Sequence, residues 1–291
     1  MLNNSKNIKF FTFSQFHNKK NVGSTRIRVD NLLKYWPEAS LYKYGEKPDV
    51  LILQKVYVQP DYEWPKTIDC IKILDICDPD WLDDMPIKQS IDAVDAITVP
   101  TVPLQEFLQQ MTSKPVKLIK DRFDLTEFPK LKTHEGEAKS LVWFGYSHNA
   151  RTLKSAIKSI IDLGLKLTII SNKNPQVLDW AESVKLKRDQ YEFIEYDPAT
   201  IYYELSKHDV AILPIGFSPK DRFKSENKEI IANLCGVPVA KDRDQLEALL
   251  NPEARNKEAK LKQDYAIKNY DCKISIQEYK ELIDEIKASR R

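Results

Sequence analysis

The stretch Asp209-Val210-Ala211-Ile212-Leu213-Pro214 has the length and composition of a buried β-strand. It leads to a basic loop, Arg222-Phe223-Lys224-Ser225-Glu226-Asn227-Lys228. Residues Glu226–Cys235 then predict a helix that stops at Gly236, and Val237–Ala240 predicts the next strand. A strand, a helix and a second strand in this order indicate a parallel sheet with helices packed on it.

The same alternation of short apolar runs and helical stretches fills both halves of the chain. The predicted strands of the first half are Ile8–Phe13, Asp49–Leu53, Ile71–Ile76, Ala96–Val99 and Val116–Ile119, and those of the second half begin with Leu141–Phe144, Leu167–Ile170 and Tyr191–Ile194. Residues 126–139 lack an apolar period and contain Pro, Gly and many charges, which is typical of a linker.

We therefore predict an α/β protein of two Rossmann-like domains, whose parallel sheets face each other across a cleft. The expected boundaries are an N-terminal, acceptor-side domain at 1–125, a linker at 126–139 and a C-terminal, donor-nucleotide domain at 140–272. The last helix, 273–291, is expected to return to the N-terminal domain. Ligands of open α/β sheets bind at the carboxyl ends of the strands.

The composition argues against several classes of protein. The 291 residues carry a formal charge of +2, whereas nucleic-acid-binding proteins usually show a strong basic excess. The polar N-terminus does not read as a signal peptide, and the four cysteines show no zinc spacing. We expect a cytoplasmic protein that binds no metal. Contact with the inner face of a membrane through the Lys- and Arg-rich tail stays open as an alternative.

The basic loop predicts an anion site. Unpaired N–H groups and the positive end of the dipole meet at a helix N-terminus, so a diphosphate is a natural ligand there. Lys224 and Lys228 are four residues apart, and we expect them to reach the same phosphates from one face of the helix entry. Arg222 could add a bidentate contact. Ser225 is the expected N-cap of the helix, and Asn227 is a weaker candidate.

Short segments in both halves of the chain resemble a known family. Trp143-Phe144-Gly145 resembles the first strand and glycine turn of the donor domain of GT-B-fold glycosyltransferases of the family-4-like kind. The pattern Lys224-Ser225-x-Asn227-Lys228 with Gly236-Val237-Pro238-Val239 is similar to a motif of a subgroup, and Ser24-Thr25-Arg26-Ile27-Arg28 resembles the start of the first helix in related enzymes.

This resemblance implies a hexosyltransferase-like enzyme. It would move a sugar from a nucleotide-diphosphate donor, with a UDP-sugar favoured, to a glycan, a lipid-linked acceptor or another hydroxyl. The nucleotide sugar is a co-substrate, and no cofactor is expected. Cations and a helix N-terminus would stabilise the departing diphosphate without a metal.

The candidate site residues fall into three groups. The catalytic group is Lys224, Lys228 and Arg222. The donor-binding group is Gly145, His148, Asn149, Tyr196, Ser225 and Asn227. The acceptor or cleft group is Gly23, Ser24, Arg26, Arg28 and Asp78.

One departure from the family pattern motivates an alternative to the transferase. Members usually carry a ribose-binding glutamate five residues before the glycine, where this chain has Ile231, and Glu229 lies two residues earlier. A GT-B-like binding protein without turnover is therefore one alternative. A phage-type enzyme that glycosylates modified nucleic-acid bases is another. Asp78-Pro79-Asp80 could instead be a metal clamp of the GT-A type, although Asp78 is preferred as a cleft residue.

Overall fold

The computed structural model describes residues 7–13, 22–58, 61–172, 186–187 and 189–290. The chain divides into two compact units. The first contains Met1–Asp124, Ser218–Ser225 and Tyr270–Arg291, and the second contains Leu125–Phe217 and Glu226–Asn269. The segment Ser218–Ser225, which was predicted to belong to the second domain, therefore packs with the first unit.

The first unit is built on a six-stranded sheet. Its strands are β1 (Ile8–Thr12), β2 (Ala39–Leu41), β3 (Val50–Gln54), β4 (Ile71–Asp75), β5 (Ala96–Val99) and β6 (Val116–Leu118), and all neighbouring pairs are parallel in the order β2-β1-β3-β4-β5-β6. The α-helices described in this unit are α1 (Gly23–Thr25), α2 (Asn31–Leu33), α3 (Ile87–Asp92), α4 (Val102–Gln109) and, from the end of the chain, Cys272–Ser289. A π-helical segment, Arg26–Asp30, joins α1 to α2.

Strand alternation explains why both faces of this sheet are covered. Successive residues of a strand point to opposite faces. Phe10 accordingly packs in one apolar cluster and its neighbour Phe11 in another. Helix Cys272–Ser289 covers the face of Phe10, where Tyr279 lies edge-on to Phe10 with ring centroids 6.2 Å apart. The final helix thus completes the core of the first unit.

The second unit is built on a five-stranded parallel sheet. Its strands are β7 (Ser140–Phe144), β8 (Lys166–Ser171), β9 (Tyr191–Glu195), β10 (Val210–Ile212) and β11 (Val239–Ala240), in the order β11-β10-β7-β8-β9. Its described α-helices are α5 (Ile157–Asp162), α6 (Ile201–Ser206), α7 (Asn227–Leu234), α8 (Arg243–Ala248) and α9 (Pro252–Asn269), and the final helix Cys272–Ser289 of the first unit is α10. The prediction of two parallel α/β sheets is confirmed.

The predicted linker is part of the second unit. The backbone N–H of His134 donates to Asn256 Oδ1 at 2.8 Å, and the N–H of Ala138 donates to the carbonyl of Leu250 at 3.0 Å. The buried Arg255 guanidinium donates to the carbonyl of Gly136 at 2.7 Å. Backbone groups of 126–139 thus bond to the first turns of helix Pro252–Asn269 and to Leu250 just before it. No helix among the described residues is long and apolar enough to cross a membrane.

Candidate functional site at the carboxyl edge of the second sheet

The strand order of the second sheet points to a candidate binding site. From β7 the chain first adds β8 and β9 on one side and then returns to add β10 and β11 on the other. The loops after β7 and β10 therefore leave the sheet in opposite directions. In open α/β sheets, the crevice at such a switch point is where ligands bind.

Gly145 ends β7 at this point. Its φ of +144° lies in a region that favours glycine, so a side chain here would strain the backbone. Its N–H donates to the carbonyl of Ile170 at 3.1 Å, and its own carbonyl accepts from Ser171 Oγ at 2.7 Å. These contacts fix the turn that opens the loop.

Lys228 reaches the same turn from the other side of the switch point. It lies in the first turn of α7, the helix that follows β10. Its Nζ is 5.0 Å from the centroid of the Trp143 ring, and the position that a β-carbon on Gly145 would occupy is 3.7 Å from that Nζ. The buried Trp143 ring offers its face to the ammonium, which is a favourable cation–π arrangement. A cation and an open glycine turn thus lie next to each other.

Ser171 connects this turn to the neighbouring strand, a role that the sequence analysis missed. The Ser171 hydroxyl bonds to Gly145, and the Ser171 carbonyl accepts from the N–H of Tyr196 at 2.8 Å. The side chain of Asn172 accepts from the N–H of Ser147 at 2.9 Å. The signal in the sequence was a Ser-Asn pair directly after a run of buried aliphatic residues, where a strand ends at the ligand edge. Tyr196, a predicted donor residue, is half-buried at the end of β9.

His148 and Asn149 lie in the 3₁₀ segment Ser147–Ser155 that follows Gly145. The exposed imidazole of His148 stacks on the Tyr146 ring at a centroid distance of 6.0 Å. The N–H of Asn149 donates to the carbonyl of Tyr146 at 2.9 Å. The loop therefore brings an aromatic pair and an amide to the same sheet edge as Gly145.

The start of α7 differs from the prediction. The helix begins at Asn227 with Glu226 as its N-cap, so the prediction that Ser225 caps it is wrong. Lys224 has extended backbone angles, φ −65° and ψ 140°, and precedes the helix. The expectation that Lys224 and Lys228 share one helical face is therefore also wrong. Ser225 and Lys224 belong to the first unit, and Asn227 and Lys228 to the second.

Lys224 contacts a carboxylate within its own segment. Its Nζ donates to Asp221 Oδ1 at 2.7 Å. Although partial burial opposes ionisation of Asp221, the hydrogen bonds from Lys224 and Ser218 hold its pKa well below the ordinary value. Lys224 is thus engaged by Asp221, whereas Lys228 lies at the Gly145 turn.

Arg222 lines a pocket of the first unit. Its guanidinium lies 5.7 Å from the centroid of the Phe223 ring, and the pocket also contains residues of α4. A phosphate contact by Arg222, like one by Lys224, stays a prediction.

The predicted anion role of Arg28 is wrong, because its guanidinium is buried among carboxylates. Nε and Nη2 donate to the two oxygens of Asp75 at 2.7 and 2.6 Å, and Nη1 donates to Asp121 at 2.7 Å. The Arg28 side chain is only 3% exposed. The charge of Arg28 is therefore neutralised by buried carboxylates inside the fold. Sequence reasoning could not see this, since the two carboxylates lie 47 and 93 residues away.

The other residues of this predicted helix start are half-buried: Gly23, Ser24 and Arg26. Gly23 has no positive φ, and a β-carbon there would meet nothing within 4 Å. The conformation thus does not require glycine. The adjacent Thr25 hydroxyl donates to Gln54 Oε1 at 3.0 Å, at the carboxyl end of β3.

Asp78 is held by a lysine. Lys55 Nζ lies 2.8 Å from Asp78 Oδ2 and 3.1 Å from Asp80 Oδ2. Lys55 itself has a left-handed backbone, φ +54°, directly after β3. The ammonium occupies the position between the two carboxylates that a bridging metal would take, so the geometry disfavours the metal-clamp alternative. Among the described residues, no group of three His, Cys, Asp or Glu side chains could hold a metal ion.

The two residues that raised doubt about ribose binding both have structural contacts. Ile231 lies on the buried side of α7 and is 8% exposed. Glu229 pairs with Lys241 at 2.6 Å, at the carboxyl end of β11. Glu229 thus lies at the ligand edge of the sheet, although at the side of β11 and away from β8.

Comparison with solved structures defines the fold. A glycosyltransferase from Rickettsia africae superposes with a TM-score of 0.66 at 8% identity, over 96% of this chain and 97% of that one. A mutant of S. aureus TarM, in complex with fondaparinux, alpha-GlcNAc-glycerol and UDP, gives 0.59 at 12% identity, over 80% of this chain and 55% of that one. This chain therefore spans about half the length of TarM.

The fold is not confined to sugar transfer. A UDP-N-acetylglucosamine 2-epimerase superposes with a TM-score of 0.53 at 12% identity, over 88% of this chain and 90% of that one. No protein-family model and no curated protein matches the sequence. The chain has the fold of the GT-B glycosyltransferases.

Proposed function

We propose that this protein is a glycosyltransferase that takes a sugar from a nucleotide-diphosphate donor and transfers it to a hydroxyl acceptor. The observation that carries the proposal is the Lys228 ammonium beside the Gly145 turn, at the switch point of the second sheet. The GT-B fold supports the same conclusion.

The chemistry explains why a cation is needed there. The bond between the anomeric carbon and the diphosphate oxygen breaks, a new bond forms from that carbon to the acceptor oxygen, and the proton of the acceptor hydroxyl passes to the departing diphosphate or to water. Negative charge develops on the departing diphosphate. A fixed ammonium and the N–H groups at the start of α7 would stabilise that charge without a metal, and such preorganised stabilisation is commonly the largest catalytic contribution.

Gly145 and its loop would serve the donor in a different way. Without a side chain at Gly145, a phosphate or sugar can approach the backbone closely. The exposed Tyr146–His148 pair and Tyr196 at the end of β9 are candidates to contact the base or sugar of the donor. A UDP-sugar is the favoured donor, and the UDP complex of TarM supports this choice.

A panel of UDP-, GDP-, CMP- and dTDP-sugars tests the proposal. Wild type, Lys228→Ala and Lys166→Ala would be compared by thermal shift and by mass spectrometry of the products. Lys166 is a matched control, because it lies at the opposite, amino-terminal end of β8 in the same sheet. We expect stabilisation by one nucleotide class, which is lost in Lys228→Ala and kept in Lys166→Ala.

The products separate the alternatives. Transfer to an added glycan supports the proposal. Stabilisation without any turnover would favour the binding protein suggested by Ile231, and epimerisation of the sugar nucleotide would favour the activity of the epimerase with a similar fold. No stabilisation by any sugar nucleotide would contradict the donor site itself.

A further inference from the structure

A pocket of about 280 Å³ lies in the first unit and shares no lining residue with the candidate site at Gly145 and Lys228. It is formed by helix α4 and by the 3₁₀ segment Pro219–Phe223. Three apolar and three polar side chains line it: Pro103, Phe107 and Phe223, and Glu106, Gln110 and Arg222. The segment Pro219–Phe223 belongs to the first unit despite its place in the sequence.

The apolar wall of the pocket is held rigidly. Phe107 stacks on Trp81 with ring centroids 4.4 Å apart and planes 6° apart, and Phe223 meets both rings edge-on. The Thr101 hydroxyl donates to the carbonyl of Phe223 at 3.1 Å and accepts from the N–H of Leu104 at the start of α4. One hydroxyl thus ties the 3₁₀ segment to the helix, so the pocket is preformed.

The segment is also anchored on its other side. Lys220 pairs with Asp83, which lies two residues after Trp81 in the chain. The carboxylate of Asp221 accepts from the N–H and the hydroxyl of Ser218 at 2.9 and 2.8 Å. These contacts fix the backbone before Arg222, and the bond from Thr101 to Phe223 fixes it after Arg222, without using the guanidinium.

The lining fits one class of ligand. A pyranose ring has apolar C–H faces, which can be buried against aromatic side chains, and pairs of adjacent hydroxyls, which planar carboxylate, amide and guanidinium groups can bind with two hydrogen bonds each. The exposed Glu106, Gln110 and Arg222 supply one of each group. A polyanion would meet the carboxylate of Glu106, and a purely apolar ligand would leave all three polar groups without a partner.

We infer that this pocket binds one pyranose residue of a glycan. Its volume is just below the roughly 300–1,000 Å³ of pockets for larger small molecules, which suits a single sugar ring. That the glycan is the acceptor of the transfer rests on the function proposed above. The binding of the glycan does not rest on that function, because the pocket shares no residue with the Gly145–Lys228 site.

Glycan binding without donor is the first test. The probes are an array of hexose, N-acetylhexosamine and uronic-acid oligosaccharides, followed by calorimetric titration of any glycan that binds. Gln110→Ala and Glu106→Ala are compared with Gln109→Ala, because Gln109 is the exposed neighbour on α4 that does not line the pocket. We expect each pocket variant to bind about tenfold more weakly, as for the loss of one hydrogen bond or more, and Gln109→Ala to bind like wild type.

Two results would overturn the inference: no glycan binds wild type, or both pocket variants bind as tightly as Gln109→Ala.

Kinetics then separate the inference about the pocket from the proposed function. If transfer occurs, the pocket variants should raise KM for the acceptor and leave the donor-induced thermal shift unchanged. If no transfer is found but glycan affinity still depends on Glu106 and Gln110, the pocket stands and the transferase proposal fails.

Discussion

Replacing Arg28 with methionine should destabilise the first unit strongly and leave donor binding intact. The substitution keeps a long apolar side chain but removes the four hydrogen bonds to Asp75, Asp121 and the carbonyl of Ile119. The Asp75 and Asp121 side chains are only 2% and 5% exposed. Breaking a buried ion pair by removing one partner costs about 3–5 kcal/mol, because an uncompensated charge stays in the interior.

Asp75 keeps some stabilisation in this variant. The Thr98 hydroxyl still donates to its Oδ1 at 2.6 Å, and the Tyr279 hydroxyl lies 3.3 Å from the same atom. We therefore expect a cost near the lower end of that range. Adding Asp75→Asn removes one of the two buried charges, so the double variant should lose less than the sum of the single losses.

Hydrogen exchange read by mass spectrometry is the assay of choice, because the two units need not unfold together. Peptides from β1 and helix Cys272–Ser289 should lose protection in Arg28→Met, and peptides from β7 and β8 should not. Lys88→Met is the control: its side chain is 72% exposed and that of its partner Asp92 is 62% exposed, so its loss should cost about 1 kcal/mol or less. Unchanged protection in Arg28→Met would refute the structural role. Loss of sugar-nucleotide affinity in folded Arg28→Met would restore the ligand role predicted from the sequence.

Three further predictions concern local conformation and charge. Gly145→Ala should destabilise the second unit by about 1–3 kcal/mol, because its φ of +144° strains any side chain, and should weaken nucleotide binding; melting curves with and without donor measure both effects. Burial lowers the pKa of His208 from 6.5 to about 4, so the unfolded chain binds a proton that the folded chain rejects, and stability should fall by about 3 kcal/mol as the pH drops from 6.5 to 4. His208→Gln should lose less stability than wild type over the same window in urea titrations, and equal losses would contradict this assignment. Lys55→Met leaves Asp78 and Asp80 without the ammonium between them. Burial raises the pKa of Asp80, so protonation of Asp80 in acid should relieve the repulsion, and the melting temperature should fall more at pH 7 than at pH 4; an equal fall at both would refute it.

The sequence was sufficient for the fold class because buried parallel strands are short aliphatic runs with helices between them. Phe10 and Phe11 show the physical basis, since one strand supplies a core residue to each face of its sheet. Gly145 and Lys228 could be singled out as well, because a strand-ending glycine and a cation at a helix start are local signals.

Long-range contacts set the limit of the sequence analysis. The sequence around Arg28 is typical of a ligand-binding helix start, but its guanidinium pairs with Asp75 and Asp121. Ser225 resembled an N-cap, but the chain stays extended at Lys224 and the helix begins only at Asn227. Residues 218–225 looked like a loop of the second domain, yet Phe223 is buried in the core of the first unit.

Ser171 marks a second limit, because one hydroxyl after a strand carries little weight until its partners are known. Its bonds to Gly145 and Tyr196 join two candidate loops into one edge. The pocket beside Phe107 depends in the same way on a segment that lies more than 100 residues away in the chain.

The central claim is that Lys228 binds a diphosphate at the Gly145 turn. The most direct test is calorimetric titration with a nucleoside diphosphate and with the same nucleoside, on wild type, Lys228→Ala and the control Lys166→Ala. A hydrogen bond to a charged group contributes about 1.5–3 kcal/mol, so Lys228→Ala should bind the diphosphate roughly 10- to 150-fold more weakly while its affinity for the nucleoside stays nearly unchanged. Equal affinity of Lys228→Ala and wild type for the diphosphate would contradict the claim.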